Sequence, residues 1–124
     1  MKTLKDLQDI ILEKYHVELK FSEEVKKDLK SVHQGKRQQI LLEILRRAKN
    51  GPLLKSDGLA ESLHGGLKGF AKIKSKSLNI RIVYRPVDDV PIRMEIIAIG
   101  PRDKKKAYKL AVERLSSFYK DMDE

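Results

Sequence analysis

The residues best suited to chemistry in this sequence are cations set two apart. Lys72 and Lys74 flank Ile73, and Arg81, Val83 and Arg85 alternate with Ile82 and Tyr84 shortly afterwards. If both stretches are strands, side chains two apart share a face, so each stretch carries its cations on one side and its apolar residues on the other. The short connection Ser75-Lys76-Ser77 pairs them as a hairpin, which brings Lys72, Lys74, Arg81 and Arg85 together on the face expected to meet solvent. Adjacent cations repel one another, and an anion placed among them reverses the sign. A single lysine or arginine on a sheet is ordinarily just its solvated side; a cluster points to a polyanion. Arg102, after Gly100-Pro101, and Tyr108, six residues later, could reach the same surface. A core aromatic is the usual explanation of a helical tyrosine, and spacing alone does not decide between the two.

The remaining chemistry-bearing residues are less informative. His16, His33 and His64 are far apart and lack metal-ligand spacing, so surface or packing roles are expected. Asp88-Asp89 is explained by turn hydrogen bonding, and no metal or cofactor is expected. Gly65-Gly66 and Gly69 lack the following lysine and hydroxyl of a phosphate-binding loop. Cysteine is absent, which removes disulfides, thiolate metal sites and thiol nucleophiles and suits a reducing compartment. The formal net charge of +9 again favours a polyanionic partner, although acidic proteins and membranes would also fit. No apolar run approaches a membrane span, and Met1 to Asp6 lacks the apolar core of a signal peptide, so a cytoplasmic protein without membrane contact is expected.

These residues need a frame. At 124 residues the chain makes one domain able to bury well over half its unfolded surface. Leu4, Leu7, Ile11 and Tyr15 recur at helical spacing, giving a helix over 3–15, and Val17 to Phe21 alternates as a strand. Ser22 followed by Glu23 and Glu24 starts a second helix, with Val25, Leu29 and Val32 inward and its end near Gly35. A third runs from about Lys36 to Lys49, stopped by Asn50-Gly51-Pro52, and forms a hairpin with the second. Strands are expected at 68–74, 79–85 and 92–99, and a last helix carries Ala107, Leu110, Ala111, Arg114, Leu115 and Phe118. The fold class is therefore α+β: a helical hairpin and C-terminal helix on one face of a mostly antiparallel sheet of about four strands, with an extra N-terminal helix. The acidic end, Asp121 to Glu124, is expected to fray.

Residues Leu63 to Lys74, Asn79 to Arg85, Ile97 to Arg102 and Tyr108 to Arg114 together resemble the RelE/ParE toxin superfamily, most tightly over 63–115. The resemblance implies a toxin domain over 17–120, with 1–16 as an N-terminal helical extension. In RelE-type messenger-RNA interferases a Lys-x-Lys strand, an arginine opening the next Arg-x-Val-Tyr strand, an arginine after the last strand and a helical tyrosine do the chemistry. Lys72, Lys74, Arg81, Arg102 and Tyr108 stand at those places, whereas gyrase-directed ParE toxins usually lack the full set. The implied activity is ribosome-dependent cleavage of messenger RNA in the A site by attack of its own 2′-hydroxyl. Lys74 would then act as proton acceptor and Arg81 as phosphate clamp. Lys68, Arg85, Lys104 and Lys105 would contact RNA, and a cognate antitoxin would inhibit the protein. A gyrase inhibitor of ParE type, or an inactive member that only binds RNA, are the alternatives.

Overall fold

The computed structural model describes residues 3–123; the remaining terminal residues and the Lys104 side chain lie outside the described residues. Thr3 opens α1 (Leu4–Tyr15) with a capping box: its hydroxyl accepts the Asp6 amide at 3.1 Å and the Asp6 carboxylate accepts the Thr3 amide at 3.2 Å. His16, in the left-handed region at φ 56, ends the helix and turns the chain into β1 (Val17–Phe21), whose first, third and fifth residues are buried. Ser22 caps α2 (Glu23–Lys30) by accepting the Val25 amide.

The hairpin break comes earlier than its glycine suggests. His33, not Gly35, is the punctuation: its Nδ1 accepts the Gly35 amide at 3.1 Å and starts α3 (Gln34–Asn50), which puts Gly35 inside the first turn. Gly51, at φ 127, closes α3. A short 3-10 turn (Gly65–Leu67) then leads into β2 (Ala71–Ser75), β3 (Ile80–Val87) and β4 (Ile92–Pro101). A second 3-10 turn (Asp103–Lys105) runs into α4 (Lys106–Asp123). The sheet order is β1-β4-β3-β2, with β1 parallel to β4 and the other pairs antiparallel.

Both faces of this sheet are covered, which corrects the expectation of helices on one face. One core joins Leu7 and Ile11 of α1, Val25 and Leu29 of α2, and Ile40, Leu41 and Ile44 of α3 to Ile82, Tyr84, Ile96 and Ile99. The other joins Phe70, Val83, Ile97 and Ala98 to Ala107, Ala111 and Phe118 of α4. Since Val83 lies between Ile82 and Tyr84, the two cores are on opposite faces, and the cationic face is partly roofed by α4. The physical reason lies in β4. A run such as Ile96-Ile97-Ala98-Ile99 belongs in a strand buried on both sides. A β-bulge sharpens this: Val83 faces Ala98 but Tyr84 faces Ile96, so Ile97 is extra and joins Ala98 under α4.

Three contacts hold α4 in place. At its start, a Cβ on Gly100 would lie 3.3 Å from the Ala107 Cα, tighter than ordinary packing, so a side chain there would push helix and strand apart by a few tenths of an ångström. In the middle, Arg114 donates to both Asp28 carboxylate oxygens, at 2.6 and 2.8 Å, and to the Ile97 carbonyl; the same carboxylate accepts the Ile99 amide. At the far end, Asp121 accepts the Glu23 amide at 3.1 Å and Lys20 donates to the Met122 carbonyl. The helix persists to Asp123 with Met122 buried, so the described part of the acidic end is docked rather than frayed.

Candidate active site

Lys74 lies opposite Arg81, Lys72 opposite Val83, and Arg81 opposite Gly100. Directly opposed residues share a face, so the register puts Lys72, Lys74 and Arg81 on the α4 side, beyond the edge of its apolar contact. The close approach at Gly100 delivers Tyr108, one residue beyond Ala107, to this edge. The Arg81 guanidinium carbon lies 5.0 Å from the Tyr108 ring centroid and the Lys72 ammonium 5.9 Å from it. Both are within the range in which a cation is attracted to a ring face.

Two polar atoms here are left over. Arg81 Nε and the Tyr108 hydroxyl are buried and hydrogen-bond to no described group. Leaving such an atom unmatched costs about 1–3 kcal/mol, so the packing around Arg81 and Tyr108 holds both against that cost. Arg102 reaches the same edge from another direction. Its amide donates to the Asn79 carbonyl at 3.1 Å, which ties the chain after β4 to the turn between β2 and β3. Asn79 itself takes the left-handed conformation, φ 55, that this turn requires. The Arg102 charge is the largest influence on Lys74, whose ammonium is held below its ordinary pKa by Arg102, then by desolvation, then by Lys72, Lys76 and Arg81. Every cause works in the direction a proton acceptor needs.

The five residues expected to carry chemistry therefore meet: Lys72, Arg81 and Tyr108 line one open pocket of about 710 Å³, Lys74 lies directly opposite Arg81, and the Arg102 charge is near enough to Lys74 to be the largest influence on it. No described carboxylate ion-pairs with the four cations among them.

The four residues expected at the periphery fare differently. Lys105 is exposed on the pocket rim, with an uncommon φ of 59 where the 3-10 turn meets α4. Lys68 is exposed at the end of the Gly65–Leu67 turn and does not line the pocket. Lys104 has its side chain outside the described residues. Arg85 is not part of the cluster: its Nε donates at 2.7 Å to Glu95, which is 1% exposed, and its guanidinium stacks over Phe118 and Tyr119. Tyr84, of the Arg-x-Val-Tyr strand, points the other way, donating to the Pro52 carbonyl at 2.7 Å while Arg47 donates to its hydroxyl. Sequence reasoning set His64 aside and passed over Lys109 and Glu113, all of which line the pocket. A signal existed: Lys105, Lys109 and Glu113 are spaced by four, and Tyr108 lies on the same helical side.

No protein-family model matches the chain. An Escherichia coli protein described as a RelE-like toxin is 29% identical over 98 residues, covering 79% of this chain and 96% of that protein. Among solved structures, a mutant of the Escherichia coli toxin RelE in the free state superposes with TM-score 0.60 at 24% identity, covering 78% of this chain and 95% of that one. The isolated Escherichia coli RelE toxin gives 0.54 at 24% identity, covering 78% and 96%. The intact Escherichia coli RelBE toxin–antitoxin complex gives 0.53 at 21% identity, covering 69% and 96%.

Proposed function

We propose that this chain, a RelE/ParE-type protein by its fold and its curated relative, is the toxin of a toxin–antitoxin pair and cuts messenger RNA on the ribosome. The observation that carries the reading is the meeting of Lys72, Lys74, Arg81 and Arg102, with no carboxylate ion pair among the described residues, beside Tyr108, whose hydroxyl, like Arg81 Nε, is buried without a described hydrogen-bond partner. Such a site suits a phosphodiester at which negative charge grows during reaction. The 2′-oxygen of RNA attacks the adjoining phosphorus, the bond from phosphorus to the 5′-oxygen breaks, and a 2′,3′-cyclic phosphate and a free 5′-hydroxyl result. Lys74, lowered in pKa, accepts the 2′-hydroxyl proton, and Lys72 stabilises the oxygen from which it leaves. Arg81 meets the phosphorane oxygens, and Arg102 stabilises the departing 5′-oxygen, which takes its proton from solvent. Tyr108, held under Arg81, orients the RNA.

Residues 17–120 form the toxin domain in this reading, and 1–16 an extension whose Leu7 and Ile11 are buried in the same core. No helix among the described residues is long and apolar enough to cross a membrane, and we place the protein in the cytoplasm with its ribosomal substrate. Its inhibitor is a co-encoded antitoxin, whose tail folds onto the basic surface. The purified protein, added to ribosomes carrying a defined message, should yield fragments ending in cyclic phosphate, and co-expression of the neighbouring open reading frame should restore growth. Growth arrest with a DNA-damage response and intact message would instead identify gyrase as the target.

A further inference from the structure

The phosphate chemistry uses only one end of the pocket. Lys72, Arg81 and Tyr108 form that end; the other lies between the Gly65–Leu67 turn and α4, with Leu63, Leu67 and Val112 as apolar walls. Val112 is 48% exposed and lines the opening, so it presents an apolar surface to it. The turn opposite keeps the space clear. A Cβ on Gly65 would meet nothing within 4 Å, and one on Gly66 would only graze Val112 at 4.0 Å. At the rim sit His64 and Glu113. A carboxylate is out of place in a site that only binds phosphate, because it repels the anion its neighbours attract.

An apolar slot of nucleotide size, continuous with a phosphate clamp and edged by a hydrogen-bond acceptor, suits a nucleobase. Building on the ribonuclease reading, we propose that this slot receives the base of the nucleotide adjoining the scissile phosphate, with Glu113 as the residue that discriminates among bases. The base lies against Leu63 and Val112 with His64 available to stack. Glu113, a carboxylate acceptor, favours an edge bearing an exocyclic amino group over uracil, whose single N3–H donor is flanked by two carbonyl oxygens that repel the carboxylate. The specific stretch of message cut is then set partly by a residue of α4 five positions beyond Tyr108.

The test compares four messages that differ only at the base next to the cut, each cleaved on ribosomes under single-turnover conditions. The proteins are wild type, Arg81→Ala, Glu113→Gln and Gly66→Phe. Glu113→Gln, which gains an amide donor that a uracil carbonyl can accept, should cut the uracil message faster than wild type and lose several-fold of the preference for amino-bearing bases. Gly66→Phe, whose new ring fills the slot, should raise KM for all four and flatten their differences, with an unchanged melting temperature showing that the fold survives. Arg81→Ala should slow all four by one factor and leave their ratios alone. Wild-type ratios in both Glu113→Gln and Gly66→Phe would overturn the subsite while leaving the ribonuclease reading intact. Altered ratios in those variants beside a fully active Arg81→Ala would keep the subsite and remove the catalytic assignment. A wild-type protein that cuts none of the messages would overturn both.

Discussion

Arg81 and Arg85 sit on the same strand, four residues apart, on the same face, and each lays its guanidinium over an aromatic ring of α4 at 5.0–5.2 Å. Their charge partners differ. Arg85 has a buried carboxylate, Glu95, at 2.7 Å; Arg81 has none, and its Nε is buried without a partner. The same division runs through the molecule, since Arg93 is paired to Asp89 and Arg114 to Asp28. Cations with a carboxylate are part of the fold's own electrostatics. Unpaired cations occur elsewhere too, as at Arg37 and Arg47, which donate to backbone carbonyls, but at the end of α4 where Tyr108 emerges Lys72, Lys74, Arg81 and Arg102 gather with no carboxylate ion pair among the described residues. Residue type and alternation are identical at the two positions, so the carboxylate partner is what distinguishes them.

The comparison can be broken at either end. The largest expected effect is on rate: Arg81→Ala should slow cleavage by on the order of a hundred- to a thousand-fold, about 3–4 kcal/mol of transition-state stabilisation. Arg85→Ala should instead act on the fold, because it strips Glu95 of its nearest cation. Breaking a buried pair costs about 3–5 kcal/mol, and the partial exposure of Arg85 and the second cation, Arg93 at 3.6 Å, argue for the lower part of that range. Denaturant titration would measure it. A smaller change is expected from Arg81→Lys, which should recover only part of the rate, since a point charge does not reproduce the planar fork.

A pH profile sharpens the picture further. Lys74 must be neutral to accept a proton, and its neighbours hold its pKa below the ordinary lysine value of 10.5. Cleavage should therefore rise with pH through this lowered pKa. Arg102→Ala removes the largest cause of the shift, so the rise should move to higher pH, while Lys74→Arg should abolish it. The linkage sign agrees: a lysine harder to protonate when folded leaves the unfolded chain binding more protons, so this group favours folding more as pH rises. The mildest expected effect is on salt dependence: neutralising Lys72, Lys74 and Arg81 together should flatten the fall of RNA affinity with salt, and adding Arg85→Gln should change that slope little further.

Much of the frame was legible in local pattern. The alternation of Val17 to Phe21 delimits β1 as observed, and Ser22 caps α2 as expected. The meander strands are found within a few residues of their expected ends. The parallel pairing of β1 with β4 was not legible, because nothing local to either strand records a partner some seventy-five residues away. The second core was missed despite a signal in the unbroken apolar run Ile96 to Ile99. The site divides the same way. Lys72, Lys74 and Arg81 follow from period two, and the roles of Arg102 and Tyr108 follow only from resemblance, since their placement depends on Gly100 and on the Asn79 turn. Arg85 was grouped with the cluster because its partner Glu95 is found only by following register across the bulge.

The most direct test is to measure, for Arg81→Ala and Arg85→Ala side by side, the single-turnover rate of message cleavage on ribosomes and the free energy of unfolding. The account predicts a crossed result. Arg81→Ala, which removes a buried unmatched donor, should be at least as stable as wild type and cut at least a hundred-fold more slowly, whereas Arg85→Ala should lose about 3 kcal/mol of stability and, while folded, cut at close to the wild-type rate. A folded Arg81→Ala protein cutting at the wild-type rate would contradict the claim that the unpaired cation marks the active site.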